Sequence, residues 1–250
     1  MTAHDPRSAP TIDIDPPARA LAIAAHPDDV EFQCGATLAK WAAAGCEVSH
    51  LICTDGSKGS WDPDDDLERL VEQRQAEQRA AASALGATGE VVFLGHTDGE
   101  LIADLAGRAQ VSEWIRRLRP DVVLGHDPWK RYRLHPDHRE AGHLAVEGVV
   151  AARDPHFFPG QATGHHRPRA LMLFEAQDPD HYEDVTGFAD AKTTALECHV
   201  SQFRTTMYID PDDDGTQLGA FRSRIRDELA EVGAQIGVGH AERFKLITPL

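Results

Sequence analysis

Five short runs, Leu21 to Ala25, Val48 to Cys53, Val91 to Leu94, Val122 to Leu124 and Ala170 to Phe174, constrain the fold more than any other feature of the chain. Each carries apolar, often β-branched residues on both of its faces, so the strand it forms must be covered on both sides. The segments between them have helical periodicity: Cys34 to Ala44, Asp65 to Leu85, Leu105 to Leu118 and Asp137 to Val150, with two later helices near Asp190 to Ser201 and Gln217 to Val232. Gly45, Gly86 and Pro120 stand where these helices must stop, because glycine accepts the left-handed conformation after a helix and proline cannot continue one. Strands alternating with helices predict an α/β, Rossmann-like layered fold: a mainly parallel central sheet flanked by helices and joined by right-handed crossovers.

At 250 residues the chain is long enough for one such domain with a sizeable core. Residues 1–17 are polar and proline-bearing and are read as a flexible lead-in, leaving 18–250 as a single catalytic domain. Within it, residues 154–169 form a long irregular insertion, either a lid or an ordinary surface loop. No stretch approaches the roughly 20 apolar residues that span a bilayer, and the first residues lack the pattern of a secretory signal. The expected location is cytoplasmic. A formal net charge of −16 disfavours nucleic acid as a partner, since binding a phosphate backbone calls for a basic stripe. Cys34, Cys46, Cys53 and Cys198 form no C-x-x-C pair, and reduced thiols are expected.

Chemistry concentrates at two strand ends. His26-Pro27-Asp28-Asp29 directly follows the first apolar run, and Leu134-His135-Pro136-Asp137-His138 lies beyond the fourth. In open α/β sheets ligands bind in the crevice outside the carboxyl ends of the strands. Pro27 holds His26 extended, and Asp28 and Asp29 fall near a helix start, where adjacent side chains point in different directions. One carboxylate is then free to bind a metal while the other faces water. Pro136 suits a first helical position, so His135 and His138 fall on one helical turn. Two histidines and one carboxylate with an open position form a known catalytic zinc arrangement, in which the pKa of a bound water drops toward about 7; Fe2+ or Mn2+ accept similar ligands. Either motif alone reads equally as a helix cap with a satisfied histidine, but the pair at two strand ends does not.

The residues resemble the LmbE-like, or PIG-L, de-N-acetylases, a family that includes N-acetylglucosaminyl-phosphatidylinositol deacetylases and the deacetylases of mycothiol and bacillithiol biosynthesis. Ala25-His26-Pro27-Asp28-Asp29-Val30-Glu31 with Cys34-Gly35-Ala36-Thr37-Leu38 resembles the first family motif, and Thr54-Asp55-Gly56 the loop after its second strand. Arg74-Gln75-Ala76-Glu77, Leu85-Gly86, Phe93-Leu94-Gly95 and Asp98-Gly99-Glu100-Leu101 follow in order. His135-Pro136-Asp137-His138 is similar to the second metal segment, and Lys192 through His199-Val200-Ser201-Gln202 to the late helix. Ala36 stands where the family often has a second glycine.

The resemblance implies that His26, Asp29 and His138 hold the metal, expected to be Zn2+, that Asp28 is the general base, and that His135 polarises the amide carbonyl or stabilises the oxyanion. Amide cleavage needs those three things: an activated water, a stabilised tetrahedral oxyanion and a proton for the leaving amine. Asp137 is expected to orient a neighbouring imidazole or else to be a solvated first-turn carboxylate. Arg74 and Asp98 match substrate-contacting positions, against the alternatives of a solvated helix face and a turn pair. The expected activity is removal of an acyl group from an N-acylated amino sugar or glycosylated metabolite. Self-association occurs in the family and is expected on that ground. The rivals are a thiol-conjugate amidase of similar mechanism and a non-catalytic metabolite-binding protein; a nucleotide-binding protein would need a G-x-G-x-x-G after its first strand. No role is assigned to residues 61–66 or 178–181. His181 is read as an exposed loop histidine, with a substrate contact as its alternative.

Overall fold

The structure, a computed structural model, describes residues 9–250. Its centre is the strand β2 (Arg19–Ala24), paired in parallel with β3 (Glu47–Thr54) on one side and β5 (Val122–His126) on the other. Alternation along β2 explains the layers. Ala20, Ala22 and Ala24 pack toward Leu38 and Trp41 of α1 (Asp29–Ala43) and Ala81 of α2 (Leu67–Ala84). Leu21 and Ile23 point the other way, toward Val111 and Ile115 of α3 (Leu105–Leu118) and Leu144 and Val149 of α4 (Pro136–Arg153). Burial on both faces is what a run such as Leu21 to Ala25 requires, and the expected layered α/β fold is the one observed.

The full strand order is β1-β7-β8-β6-β5-β2-β3-β4. From β2 the chain moves outward through β3 to β4 (Val91–His96), then returns to place β5 on the other flank of β2, followed by β6 (Ala170–Phe174). This reversal leaves a crevice at the carboxyl ends of β2 and β5, where no crossover covers the sheet. Two glycines let α4 approach that crevice. A side chain at Gly125 would stand 2.8 Å from the Ala145 Cβ, and one at Gly142 would stand 2.6 Å from the His126 carbonyl oxygen. Backbone contact this close brings the first turn of α4 over the end of β5.

Several expected boundaries move. The first helix begins at Asp29, not Cys34; Cys34 is instead a non-helical kink (φ −143°) inside it. The late helix of the sequence reading splits into α5 (Ala189–Leu196), a 3-10 turn at Val200–Gln202 and a wider turn at Phe203–Met207, while α6 (Thr216–Ala234) lies where expected. Three strands go beyond the sequence reading: β1 (Thr11–Ile12), β7 (His181–Asp184) and β8 (Ala241–Ile247). β8 runs antiparallel to β6 and β7, and β1 pairs in parallel with β7. Of the expected flexible lead-in, residues 1–8 lie outside the described residues, and the remainder is not free. Thr11 and Asp13 donate backbone hydrogen bonds to Asp180 and Tyr182, and Lys40 binds the carboxylates of Asp13 and Glu183 at 2.6 and 2.8 Å.

Residues 154–169 do not form a lid. They run from the end of α4 to the start of β6, at the amino end of the sheet, opposite the crevice. The buried Arg116 of α3 ties them down by donating to the carbonyls of Asp154 and Phe157 and to the Gln161 side chain at 2.7 to 2.9 Å. His181 is likewise neither a loop residue nor part of the crevice. It is fully buried at the start of β7, bonded to Glu183 and Thr11.

Candidate active site

The crevice is organised by the turn between β2 and α1. Asp28 occupies the cap position of α1 with φ 109°, a conformation that a side chain adopts only at a cost of about 1–3 kcal/mol. Its amide donates to Gln78 Oε1 at 2.9 Å, and Gln78 in turn donates to the buried Glu31. His199 meets the other oxygen of Glu31 at 3.2 Å. Arg74 donates to the carbonyls of Pro27 and Gly56 and lies 3.4 Å from Asp28 Oδ2. The turn is therefore held from beneath by a chain of buried polar groups that α2 and the Val200–Gln202 turn deliver.

Asp29 accepts the His26 amide at 2.8 Å, and its two oxygens face three imidazoles: His26 Nδ1 at 3.3 Å, His126 Nε2 at 3.4 Å and His138 Nε2 at 3.2 Å. His26 turns its other nitrogen to Asp137 and Asp98, each at 3.2 Å. His135 packs edge-on against His26, with ring centroids 4.5 Å apart, and stacks on His138 at 4.9 Å. Thus His26, Asp28, Asp29, His135, His138, Arg74, Asp98 and Asp137, all selected from the sequence, meet in one cleft of about 660 Å³ or directly beneath it.

The electrostatics follow from this packing. Burial pushes the Asp28 carboxyl up to about 6, against the opposing pull of Arg74. Burial acts in the same direction on Asp29, but the facing His138 and His126 overcome it and hold Asp29 well below the usual carboxylate range. Two adjacent carboxylates are thereby driven apart, as groups with different tasks are. Burial opposes charge on His26, yet hydrogen bonds to Asp137, Asp29 and Asp98 hold it well above its ordinary value. His135 is lowered by burial and then by repulsion from His26 and His138.

The donor set fits a small divalent cation. Ligands arranged tetrahedrally at about 2.0–2.1 Å from a metal stand about 3.3 Å from one another; Asp29 shows such a spacing to His26 through Oδ2, at 3.3 Å, and to His138 through Oδ1, at 3.2 Å, a different oxygen for each imidazole. Each of three groups, His26/His135/His138, Asp29/His126/His138 and His26/Asp98/Asp137, has its donor atoms within 4.8 Å of one another, so the expected ligands His26, Asp29 and His138 are divided between the first two groups and do not form one by themselves. Asp137 is fully buried and also accepts the amides of Gly99 and Leu101, so it is not the solvated carboxylate that a first-turn position also suggested. Arg74, 3% exposed, is not on a solvated face either. Asp98 is both things at once, part of a turn with Gly99 and a neighbour of His26.

Sequence reasoning missed His126 and Glu175. His126 ends β5, stacks on His138 with centroids 4.4 Å apart and donates from its Nδ1 to the Glu175 carboxylate at 3.1 Å. Glu175 follows β6 with φ 53° and also binds Arg133 and Lys130; burial pushes its carboxyl up, but His126 foremost, then Arg133 and Lys130, hold it down at about 2. The signal was present: His126-Asp127-Pro128 follows an apolar run as His26-Pro27-Asp28 does.

The family model described as "PIG-L: GlcNAc-PI de-N-acetylase" matches residues 21–149, which include both histidine segments. The chain belongs to this family. Relatives of the PIG-L chain agree in kind. A diacetylchitobiose deacetylase of Thermococcus kodakarensis is 33% identical over 74% of this chain and 70% of its own. A 1D-myo-inositol 2-acetamido-2-deoxy-alpha-D-glucopyranoside deacetylase of Thermomonospora curvata is 34% identical over 56% of this chain and 55% of its own. The N,N'-diacetylchitobiose deacetylase of Pyrococcus horikoshii, solved with an inhibitor, superposes with a TM-score of 0.82 at 28% identity, over 93% of this chain and 85% of that one. At 93% of the chain, the structural likeness extends past residue 149, where the PIG-L match ends. No helix of the described residues is long and apolar enough to cross a membrane.

Proposed function

We propose that this PIG-L protein hydrolyses the N-acetyl amide of an amino-sugar glycoside with the help of a divalent cation, zinc, held by His26, Asp29 and His138. The observation that carries the reading is the placement of a second carboxylate, Asp28, beside those three donors and on the floor of the same cleft. A site built only to bind a metabolite has no use for a base at that position. When bound, the cation would supply Lewis acidity to the acyl oxygen and to water.

The residues of the chain perform the rest. Asp28 accepts a proton from water as its oxygen bonds to the acyl carbon, and the carbonyl becomes a tetrahedral oxyanion. His135, kept neutral by its surroundings, donates an N–H to that oxyanion. Asp28 then passes the proton to the amide nitrogen, the C–N bond breaks, and acetate leaves the free amine. Arg74 pins Asp28 through the Pro27 carbonyl, and Asp137 fixes His26 by accepting from its outer nitrogen, the usual support of a metal-binding imidazole. The free cysteines accord with a reducing, cytoplasmic setting. Chelation should abolish deacetylation of N,N'-diacetylchitobiose and zinc should restore it. Full activity in metal-free protein, or no turnover of any N-acetylated sugar by zinc-loaded protein, would overturn the reading.

A further inference from the structure

The stacked rings of His126 and His138 lie between two carboxylates. Asp29 meets the inner nitrogen, Nε2, of each ring. Glu175, on the far side, faces the outer nitrogen, Nδ1, of each, at 3.1 Å from His126 and 3.8 Å from His138. With ring centroids 4.4 Å apart and planes only 22° from parallel, the two outer nitrogens are close enough for one carboxylate to serve both. No step of the hydrolysis described above uses Glu175, and it does not line the cleft.

The neighbours of each ring decide which nitrogen carries its hydrogen. The Ala25 amide donates to His126 Nε2 at 3.4 Å, so in the neutral ring that nitrogen offers a lone pair and the hydrogen sits on Nδ1, toward Glu175. His138 offers Nε2 to a cation only with its own hydrogen on Nδ1. There it faces Arg133 Nη1 at 3.2 Å, and a guanidinium has no lone pair with which to accept. Glu175 is the carboxylate within ion-pair distance of that nitrogen. Arg133 in turn is committed to Glu175. Its side chain is 6% exposed, its Nε and Nη2 have no partner among the described residues, and the carboxylate it meets is Glu175, at 2.5 Å. So incomplete a pairing is costly for a buried guanidinium. Lys130 adds a second cation on the other oxygen at 3.3 Å, and together the two hold the carboxylate at the edge of the rings.

We propose that Glu175 is a positioning residue of the metal centre, which accepts the outer N–H of both His126 and His138 and so fixes the two rings with Nε2 turned inward. The proposal rests on the reading above that His138 holds the cation. Zinc affinity, measured by competition with a chelator, tests it without turnover. Glu175→Gln should bind zinc about 10–100-fold more weakly than the wild type, whereas Lys130→Met, which removes only a half-exposed ion pair to Glu175, should stay within about twofold. In zinc-loaded protein with isotope-labelled histidine, the Nδ1 protons of both rings should give slowly exchanging magnetic-resonance signals that Glu175→Gln shifts or erases and Lys130→Met preserves. If Glu175→Gln does not fold, Glu175→Asp takes its place, because aspartate keeps the charge and tolerates the left-handed backbone of φ 53°. Its shorter reach should still weaken zinc by roughly threefold or more. Wild-type affinity in the Glu175 variant, or equal weakening in Lys130→Met, overturns the proposal and leaves the deacetylase standing. A zinc-loaded wild type that deacetylates nothing, while the variants differ as stated, keeps the positioning role and loses the deacetylase.

Discussion

Asp28 and Asp29 are neighbours in sequence and the same residue type, yet the turn gives them opposite surroundings. Asp29 faces imidazoles and stays charged, whereas Asp28 faces the cleft, with its backbone held by Gln78. Asp28→Asn should therefore keep its metal, measured by elemental analysis, and lose about 10²–10⁴ in kcat; a variant at full rate would remove Asp28 from the mechanism. Asp137 acts one bond further out. Asp137→Ala should weaken zinc binding about 10–100-fold in competition with a chelator, and an unchanged affinity would make Asp137 a loop anchor for Gly99 and Leu101 only. In the sequence these residues stood out because each histidine-proline motif follows an apolar run at a strand end, while the division of roles between Asp28 and Asp29 came from the family resemblance. The sequence did not distinguish His126, whose contact with Asp29 depends on β5 lying next to β2, a neighbour relation set by the whole sheet.

The elements that could be read were those that carry their own signal. α3 has the bounds that its periodicity and the asparate-capped start imply, with Asp104 accepting from the Gly107 amide. β7, with the sequence His181-Tyr182-Glu183-Asp184, has no such signal; its polar side chains are buried because Thr11 and Lys40 partner them across elements. The same logic hid β1, whose two exposed residues are held by neighbours and not by their own apolarity. This anchor should respond to pH. Burial opposes charge on Asp13, but the hydrogen bond from Lys40 outweighs it and lowers the Asp13 pKa below the ordinary value. A carboxylate with a lower pKa folded than unfolded stabilises above its unfolded value of about 4 and loses that contribution as pH falls through the folded one. Hydrogen exchange at the Asp13 amide, corrected for its intrinsic rate, should quicken below about pH 4 while the β2 amides stay protected. Equal protection at both pH values would mean that the strand pairing alone holds β1.

On the scale of the whole molecule, the site exists only where segments around residues 26, 74, 98, 126 and 138 meet at the reversal of strand order. Binding a cation there must then stabilise the complete fold, since the unfolded chain holds no such cluster. Zinc at about a hundred times its Kd contributes about 2.7 kcal/mol, which for a chain of this length raises Tm by about 5–10 °C. A scan of metal-free and zinc-loaded protein that differed by less than a degree would place the cation outside the folded core of the site. The cleft at this reversal is lined largely by polar side chains. Residues 154–169, clasped by Arg116 at the amino end of the sheet, face away from the mouth of that cleft. They are accordingly the place to graft a tag, tether the enzyme to a bead or open new chain termini, because anything attached there leaves the path of the sugar clear.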